Sequence, residues 1–353
     1  MNIHQGRTLS RRSIALAAAL TVAALALPTQ ASAQQSVEQF YKGKNITLYI
    51  AFAPGGSYDS LARLTARYMG KHIPGNPTIV PQNMPGAGGF KAANYMYSVA
   101  PKDGSTMSIL SQTAALEEAL KSEGVQYKSN EFAWIGRFTS NIEVQVLWHT
   151  AKAKTIQDVL TNEISVASTG PGSPSDGYPR ILNGLLGTKF KIIAGYPGST
   201  DGLLAMERGE VDGALTSWNT MKTSRAAWLS EKKAHLLVQY VLQRSPDIPD
   251  VPAVVEFGRN DEEKKVLATY ASGGDIGRAF NTTPGVPAER VAALRKGFDD
   301  MVKNDKELLA DIERMKLDFF PLEGEKLQKL VADTVSVPPN VVKRMQELLA
   351  VGK

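Results

Sequence analysis

The chain of 353 residues contains no cysteine. That single absence excludes disulfide scaffolds, Cys-ligated zinc, iron–sulfur clusters and thiol nucleophiles together, while leaving the redox compartment open. Histidine is nearly as scarce. His4, His72, His149 and His235 stand far apart and outside carboxylate-rich stretches, so each reads as a surface or internally satisfied side chain, not as a metal ligand or general base. Also missing are a G-x-S-x-G elbow, a P-loop, a G-x-G-x-x-G fingerprint and an H-E-x-x-H helix. No nucleophile stands beside a base; catalysis is therefore unsupported, and neither a cofactor nor a metal is expected. Trp134, Trp148, Trp218 and Trp228 lack the basic residues that interleave aromatics on a nucleic-acid surface. They read as core, with Trp218 ending a strand where a ligand wall would stand.

The excess of positive charge is small, 40 Lys+Arg against 35 Asp+Glu, and part of it sits in a leader. Residues 1–33 carry Arg7, Arg11 and Arg12 without an acid, then an apolar run from Ile14 to Leu27, then Ala31-Ser32-Ala33, a small-x-small cleavage signature. The run stops at Pro28, short of the ~20 apolar residues that span a bilayer. It reads as a signal peptide cut after Ala33, exported by the Sec or the twin-arginine route, the latter because of Ser10-Arg11-Arg12. Removing three arginines leaves 37 basic against 35 acidic residues. The mature charge of +2 removes the hint of a nucleic-acid partner, and the mature protein is expected to be soluble, monomeric and about two domains long.

The mature chain repeats one pattern. Apolar runs are followed by glycine-rich turns and then by helical periodicity: Ile46 to Phe52, Pro54-Gly55-Gly56-Ser57, then Leu61, Leu64, Tyr68 and Met69 on one helix face. Thr78 to Val80 leads through Pro85-Gly86-Ala87-Gly88-Gly89 into a helix over 90–99. Ile164 to Ala167 precedes Thr169-Gly170-Pro171-Gly172-Ser173, and Lys191 to Ala194 precedes Tyr196-Pro197-Gly198-Ser199. Met107 to Leu110, Trp134 to Phe138, Val144 to Trp148 and Val211 to Thr216 read as further strands. The order is that of an α/β protein, and the irregular spacing of the turns argues against a true repeat. Arg244 to Pro252 reads as a surface loop, Asn260 to Lys265 as a solvated helix face, and a helix-rich tail begins near Val286.

Helix N-termini leave N–H groups unpaired and carry a positive dipole end, so a glycine-rich strand-to-helix turn lets backbone donors approach an anion. Such turns also serve simply to reverse the chain. Two of them, at Gly55-Gly56-Ser57 and Gly86-Ala87-Gly88-Gly89, are placed to clasp one carboxylate at the carboxyl ends of their strands. Asp59 falls in the first turn of its helix, where a carboxylate complements the dipole; facing a cleft, it would instead favour a ligand amine or a bridging water.

The joint order of Pro54-Gly55-Gly56-Ser57-Tyr58-Asp59, Asn83-Met84-Pro85-Gly86-Ala87-Gly88-Gly89, Ala100-Pro101-Lys102-Asp103-Gly104, Ala167-Ser168-Thr169-Gly170-Pro171-Gly172-Ser173, Gly195-Tyr196-Pro197-Gly198-Ser199, Gly209-Glu210-Val211-Asp212 and Arg244-Ser245-Pro246-Asp247-Ile248-Pro249-Asp250-Val251-Pro252 resembles the solute receptors of tripartite tricarboxylate transporters, the Bug or TctC-like family. The resemblance spans essentially the whole mature chain. It implies a type II-like, two-lobed periplasmic binding protein of the Venus flytrap kind, each lobe a central sheet flanked by helices, with residues 34–140 plus 276–353 in the first lobe and 141–275 in the second. It implies capture of a small organic carboxylate and delivery to one large and one small membrane subunit. Carried over residue by residue, the first lobe would contribute Gly55, Gly56, Ser57, Asp59, Ala87 and Gly88 to the ligand pocket. The facing lobe would contribute Ser168, Thr169, Gly170, Gly172 and Ser173, with Tyr196, Gly198 and Ser217.

Three departures from the family pattern bear on the pocket. Gly277-Arg278-Ala279-Phe280 stands where relatives have a Trp-Tyr-Gly-like segment, and Trp134-Ile135-Gly136-Arg137-Phe138 places a second arginine near the first crossover. Arg137 and Arg278 are either bidentate partners for a second carboxylate or ordinary arginines at a hinge. Ser175-Asp176 replaces a histidine common in relatives. The readings that compete with a transport receptor are a periplasmic sensory receptor for a carboxylate signal and an exported enzyme of similar bilobal fold.

Overall fold

The computed structural model describes residues 35–350; the expected leader, residues 1–33, lies outside them. Among the described residues eleven strands fall into two sheets. The first contains β1 (Asn45–Ile50), β2 (Thr78–Asn83), β3 (Thr106–Ile109), β4 (Ala133–Arg137), β10 (Ala279–Thr282) and β11 (Leu322–Glu323), in the spatial order β11-β4-β10-β3-β1-β2. The second contains β5 (Glu143–Trp148), β6 (Ile164–Ser168), β7 (Phe190–Ala194), β8 (Gly213–Ser217) and β9 (Ala234–Tyr240), in the order β7-β6-β8-β5-β9. In both, the strands joined by helical crossovers are parallel: β1 with β2 and β3, β6 with β7 and β8. The strands that carry the chain between the lobes, β5 and β10, pair antiparallel with theirs. The protein is thus an α/β, two-lobed molecule whose sheets are each flanked by helices.

Local sequence explains the elements. The helix Ser57–Met69 buries Tyr58, Leu61, Ala62, Leu64, Thr65, Tyr68 and Met69, the 3.6-residue stripe that the apolar spacing dictates. In β5, Val144, Val146 and Trp148 enter one hydrophobic cluster while Leu147 enters the other, so alternate side chains serve the two faces of a buried sheet. The charge run at Asn260 to Lys265 opens the helix Asp261–Ala271: the Asn260 side chain accepts from the Glu263 N–H at 2.9 Å, and three acids occupy the first turn.

The two connections between lobes lie side by side. Phe138 N–H donates to the Arg278 carbonyl, Arg278 N–H to the Thr139 carbonyl and Asn141 N–H to the Gly274 carbonyl, each at 2.9 Å. Gly277 (φ +59°) is required there, because a Cβ would lie 2.3 Å from the Thr139 carbonyl oxygen. Paired crossings of this kind form a compact hinge.

The final helix departs from the expected division of the chain. Pro339–Ala350 does not complete the first lobe; its Val341, Met345 and Leu348 enter the core of the second, against the helix Pro174–Leu186. Gly184 makes room for it, since a Cβ there would meet Leu348 Cδ2 at 2.6 Å. The preceding helix, Gly324–Val335, buries Leu327 and Val331 in the first lobe, so the chain crosses once more over 336–338.

Candidate functional site

Between the lobes lies a narrow cavity of about 60 Å³. Helix starts surround it. From the first lobe come Phe52, Ala53, Gly56, Ser57 and Tyr58, at the end of β1 and the first turn of Ser57–Met69; from the second come Ser168, Thr169, Pro174 and Ser175 after β6, Tyr196, Gly198 and Ser199 after β7, and Thr216 and Ser217 at the end of β8. Helices begin at Ser57, Pro174, Ser199 and Trp218. Four helix starts therefore border one space; at the last of them the Trp218 N–H is spent on the Ile142 carbonyl and the Thr220 N–H on Ser217 Oγ, so the ends at Ser57, Pro174 and Ser199 are the ones that favour negative charge without cationic side chains.

Of the residues expected from sequence, Gly56, Ser57, Ser168, Thr169, Tyr196, Gly198, Ser217 and Arg278 line this cavity. Gly55, Asp59, Ala87, Gly88, Gly170, Gly172 and Ser173 do not. Asp59 is buried and spends its carboxylate inside the first lobe: Oδ2 accepts from the Gly55 N–H at 3.0 Å, and Oδ1 from Arg63 Nε and Asn83 Nδ2, both at 2.9 Å. Burial alone would push its carboxyl up, but Arg63, the Gly55 N–H and Asn83 outweigh it and hold Asp59 below the usual carboxylate range. Its work is to brace the turn that presents Gly56 and Ser57. It takes the Gly55 N–H out of reach of any ligand.

The second glycine loop closes the seam between lobes beside the cavity. Gly88 N–H donates to the Thr169 carbonyl at 3.2 Å, and Thr113 Oγ1 donates to the Gly172 carbonyl at 2.8 Å. Gly88 (φ +62°) sits so close that a Cβ would lie 2.3 Å from the Pro171 carbonyl oxygen. Further along the seam Ala53 N–H donates to the Pro197 carbonyl at 3.3 Å, and Lys222 pairs with Asp318. The loop after β6 is tied down internally: Ser173 Oγ donates to the Gly170 carbonyl at 2.8 Å, Ser168 Oγ accepts from the Gly170 N–H at 3.0 Å, and Ser175 Oγ accepts from the Thr169 N–H at 3.0 Å. Ser217 caps its helix, accepting from the Thr220 N–H at 3.1 Å.

The two arginines part ways. Arg137 lies outside the cavity lining, donating from Nε and Nη2 to the Phe320 carbonyl at 3.2 and 3.0 Å and from Nη1 to the Asp275 carbonyl. Arg278 is only 2% exposed and forms the cavity floor. Its Nε and Nη2 both donate to Ser57 Oγ, at 3.1 and 2.8 Å, and Nη1 donates to Gln112 Oε1 at 2.8 Å. Its guanidinium stacks 3.8 Å from the centre of the Tyr58 ring, and Nη2 lies 3.5 Å from Glu143 Oε1. The Tyr58 hydroxyl accepts from the Gln112 N–H at 2.9 Å; burial raises its pKa, with Arg278 opposing.

Sequence reasoning missed Glu143, Tyr58, Ser199 and Thr216. Glu143 is fully buried at the first position of β5, and Asn141 Nδ2 donates to its Oε1 at 2.7 Å. Burial pushes its carboxyl up, against Arg278 and Asn141, which favour the charged form. The available signal was an acid opening a largely apolar strand directly after the crossover. Trp218 forms no ligand wall; its indole Nε1 donates to Asp247 at 3.0 Å and its ring packs in the second lobe. His72 bonds Asp305 at 2.9 Å, far from the cavity. Among the described residues no group of His, Cys, Asp or Glu could hold a metal ion, and no helix is long and apolar enough to cross a membrane.

Comparison with known proteins agrees with this architecture. The structure superposes on that of the periplasmic binding protein BugD with a TM-score of 0.69 at 19% identity, over 87% of this chain and 98% of that one. It superposes on MatC from Rhodopseudomonas palustris with bound malate with a TM-score of 0.66 at 22% identity, over 87% of this chain and 99% of the other. At these identities the likeness is one of fold. A UPF0065 protein from the TAR-I ttuE-ttuC' intergenic region of Agrobacterium vitis is 28% identical over 251 residues, 69% of each chain. The family model for the tripartite tricarboxylate transporter family receptor matches residues 61–346, and the chain belongs to that family of solute-binding receptors.

Proposed function

We propose that this protein is a periplasmic receptor that captures a small organic carboxylate between its lobes and delivers it to the large and small membrane subunits of a tripartite tricarboxylate-type transporter. The observation that carries the reading is the convergence of four helix starts, at Ser57, Pro174, Ser199 and Trp218, on one cavity floored by a buried arginine. A carboxylate placed there meets N–H donors and dipole ends, each worth up to ~2 kcal/mol when partly buried. The ligand leaves chemically unchanged, for the cavity presents no nucleophile paired with a base. The chain is exported with its leader and works as a monomer that opens and closes at the paired crossings near Thr139 and Gly277.

A thermal-shift screen over mono-, di- and tricarboxylates tests the binding step, since a ligand that binds only the folded state raises its apparent stability. A saturable shift supports the reading; no shift with any carboxylate, or turnover of carboxylate esters or amides, overturns it. Deletion of the gene with uptake and transcriptional readouts tests delivery. Lost uptake supports a transport receptor, and lost transcription with intact uptake would assign the chain to signalling.

A further inference from the structure

Among the described residues the only charged side chains lining the cavity are Arg278 and Glu143, which formally cancel. Their bonding is asymmetric. Ser57 Oγ accepts from both Nε and Nη2 of Arg278, at 3.1 and 2.8 Å. A hydroxyl has two lone pairs and one proton, so the guanidinium takes the whole accepting capacity of Ser57 and leaves its O–H to donate. Glu143 is the counterpart. Asn141 and Arg278 both reach Oε1, at 2.7 and 3.5 Å, and Oε2 has no hydrogen-bond partner among the described residues. A third observation lies on the neighbouring strand, where Thr216 belongs to the cavity lining and its buried Oγ1 has no partner among the described residues.

We propose that Glu143 is a specificity-determining residue, and that the cavity selects a carboxylate bearing a hydrogen-bond donor, a hydroxyl or an ammonium group, over the same acid without one. The inference rests on the receptor reading above. Ser57 and the helix ends supply donors for the ligand carboxylate, and Glu143 Oε2, on a buried residue of the cavity lining, supplies an acceptor that a ligand donor must satisfy once the ligand has displaced water from the cavity. A ligand without that donor leaves a buried carboxylate oxygen unpaired, a penalty that binding sites use to reject analogues lacking a polar group. A second ligand carboxylate at this point meets like charge.

The test is calorimetric titration at pH 7 with matched sets of three to six carbons, each set comprising the parent acid, its 2-hydroxy acid and its 2-amino acid. In at least one set the hydroxy or amino acid is expected to bind ten times or more tighter than the parent, and which of the two binds tighter identifies the donor. Glu143→Gln, which turns an amide N–H toward the cavity, is expected to bring that ratio below about threefold while circular dichroism shows an intact fold. Parent acids that bind the unaltered protein as tightly as their substituted relatives overturn this inference and leave the receptor reading standing. The same holds for a dicarboxylate that binds tightest of all, since Glu143 would then be protonated and donating. If no member of any set binds, the receptor reading falls and takes this inference with it. If Glu143→Gln does not fold, the ratio in the unaltered protein decides alone.

Discussion

Gly88 donates its backbone N–H to the carbonyl of Thr169 across the seam between the lobes, at 3.2 Å, and no side chain fits between them. The bond joins the glycine loop of one lobe to the loop after β6 of the other, so it exists only while the lobes are shut. A Cβ at Gly88 would lie 2.3 Å from the Pro171 carbonyl oxygen. Closure must then stop short, and backbone offers no rotamer by which to yield.

Gly88→Val is therefore expected to weaken ligand binding tenfold or more while costing the unliganded protein only about 1–2 kcal/mol of stability, the penalty of a left-handed conformation for a residue with a Cβ. Titration of the ligand found by thermal shift checks the first part and urea unfolding the second. Scattering measurements of overall dimensions with and without ligand would show compaction in the unaltered protein and much less in the variant.

Arg278 and Arg137 provide a matched pair. Arg278→Lys keeps the charge but loses the planar fork that reaches Ser57 twice and Gln112 once. Ser57 regains a free lone pair and ceases to be a fixed donor; affinity for carboxylates is expected to fall ten- to a hundredfold. Arg137→Ala, at a residue whose donors go to the Phe320 and Asp275 carbonyls, should leave affinity within about threefold. Equal losses from both variants would mean that the arginines act through the hinge and not through the cavity.

The strand-turn-helix units were legible because each is local. Apolar runs, glycine turns and 3.6-residue stripes lie within about 30 residues of one another, as at Ile46 to Met69. What escaped was long-range. β9 and β10 were not read as strands, because His235-Leu236-Leu237-Val238-Gln239-Tyr240 and Ala279-Phe280-Asn281-Thr282 are strands by virtue of the partners they meet in β5, β3 and β4, not by any alternation of their own. The site divides the same way. The helix-start residues Gly56, Ser57 and Gly198 were visible as turns, whereas Glu143 becomes a cavity residue only when Asn141 and Arg278, 135 positions further along, close around it. Gly88 and Gly172 are expected from sequence at the ligand pocket, but what approaches them in the structure is the opposite lobe.

Asp59 gives a prediction in pH. Its carboxyl is held below the ordinary carboxylate value in the folded protein, so the folded state binds a proton less readily than the unfolded chain, whose value is ~3.9. The stability that follows is fully present above that unfolded value and drains away as pH falls through the lower folded one. Asp59→Asn, which faces a donor with a donor, is expected to cost about 1–3 kcal/mol at pH 7. The gap between the two proteins should shrink at pH 3, below the unfolded value, where the unfolded chain's carboxyl takes up a proton that the folded one resists. Urea unfolding at both pH values checks this, and a gap that is constant with pH would mean that the charge of Asp59 contributes nothing to bracing the Gly55 turn.

The last helix ties the end of the chain to the lobe that it does not belong to by sequence order. Met345 is fully buried in the second lobe's core, beside Val341 and Leu348, while the helix before it packs in the first lobe. Met345→Ala leaves a hole in a close-packed cluster and is expected to cost about 2–5 kcal/mol, enough to lower the melting temperature by several degrees. The loss should be confined to the second lobe. Hydrogen exchange is the measurement that resolves it: amides of β6 and of the helix Pro174–Leu186 should exchange faster in the variant, while those of β1 and β3 keep their protection. Because the segment over 336–338 is a third strap between lobes, cutting the chain there should free the second lobe to open further and weaken ligand binding even where the remaining fold holds. Unchanged affinity after such a cut would show that the strap plays no part in closure.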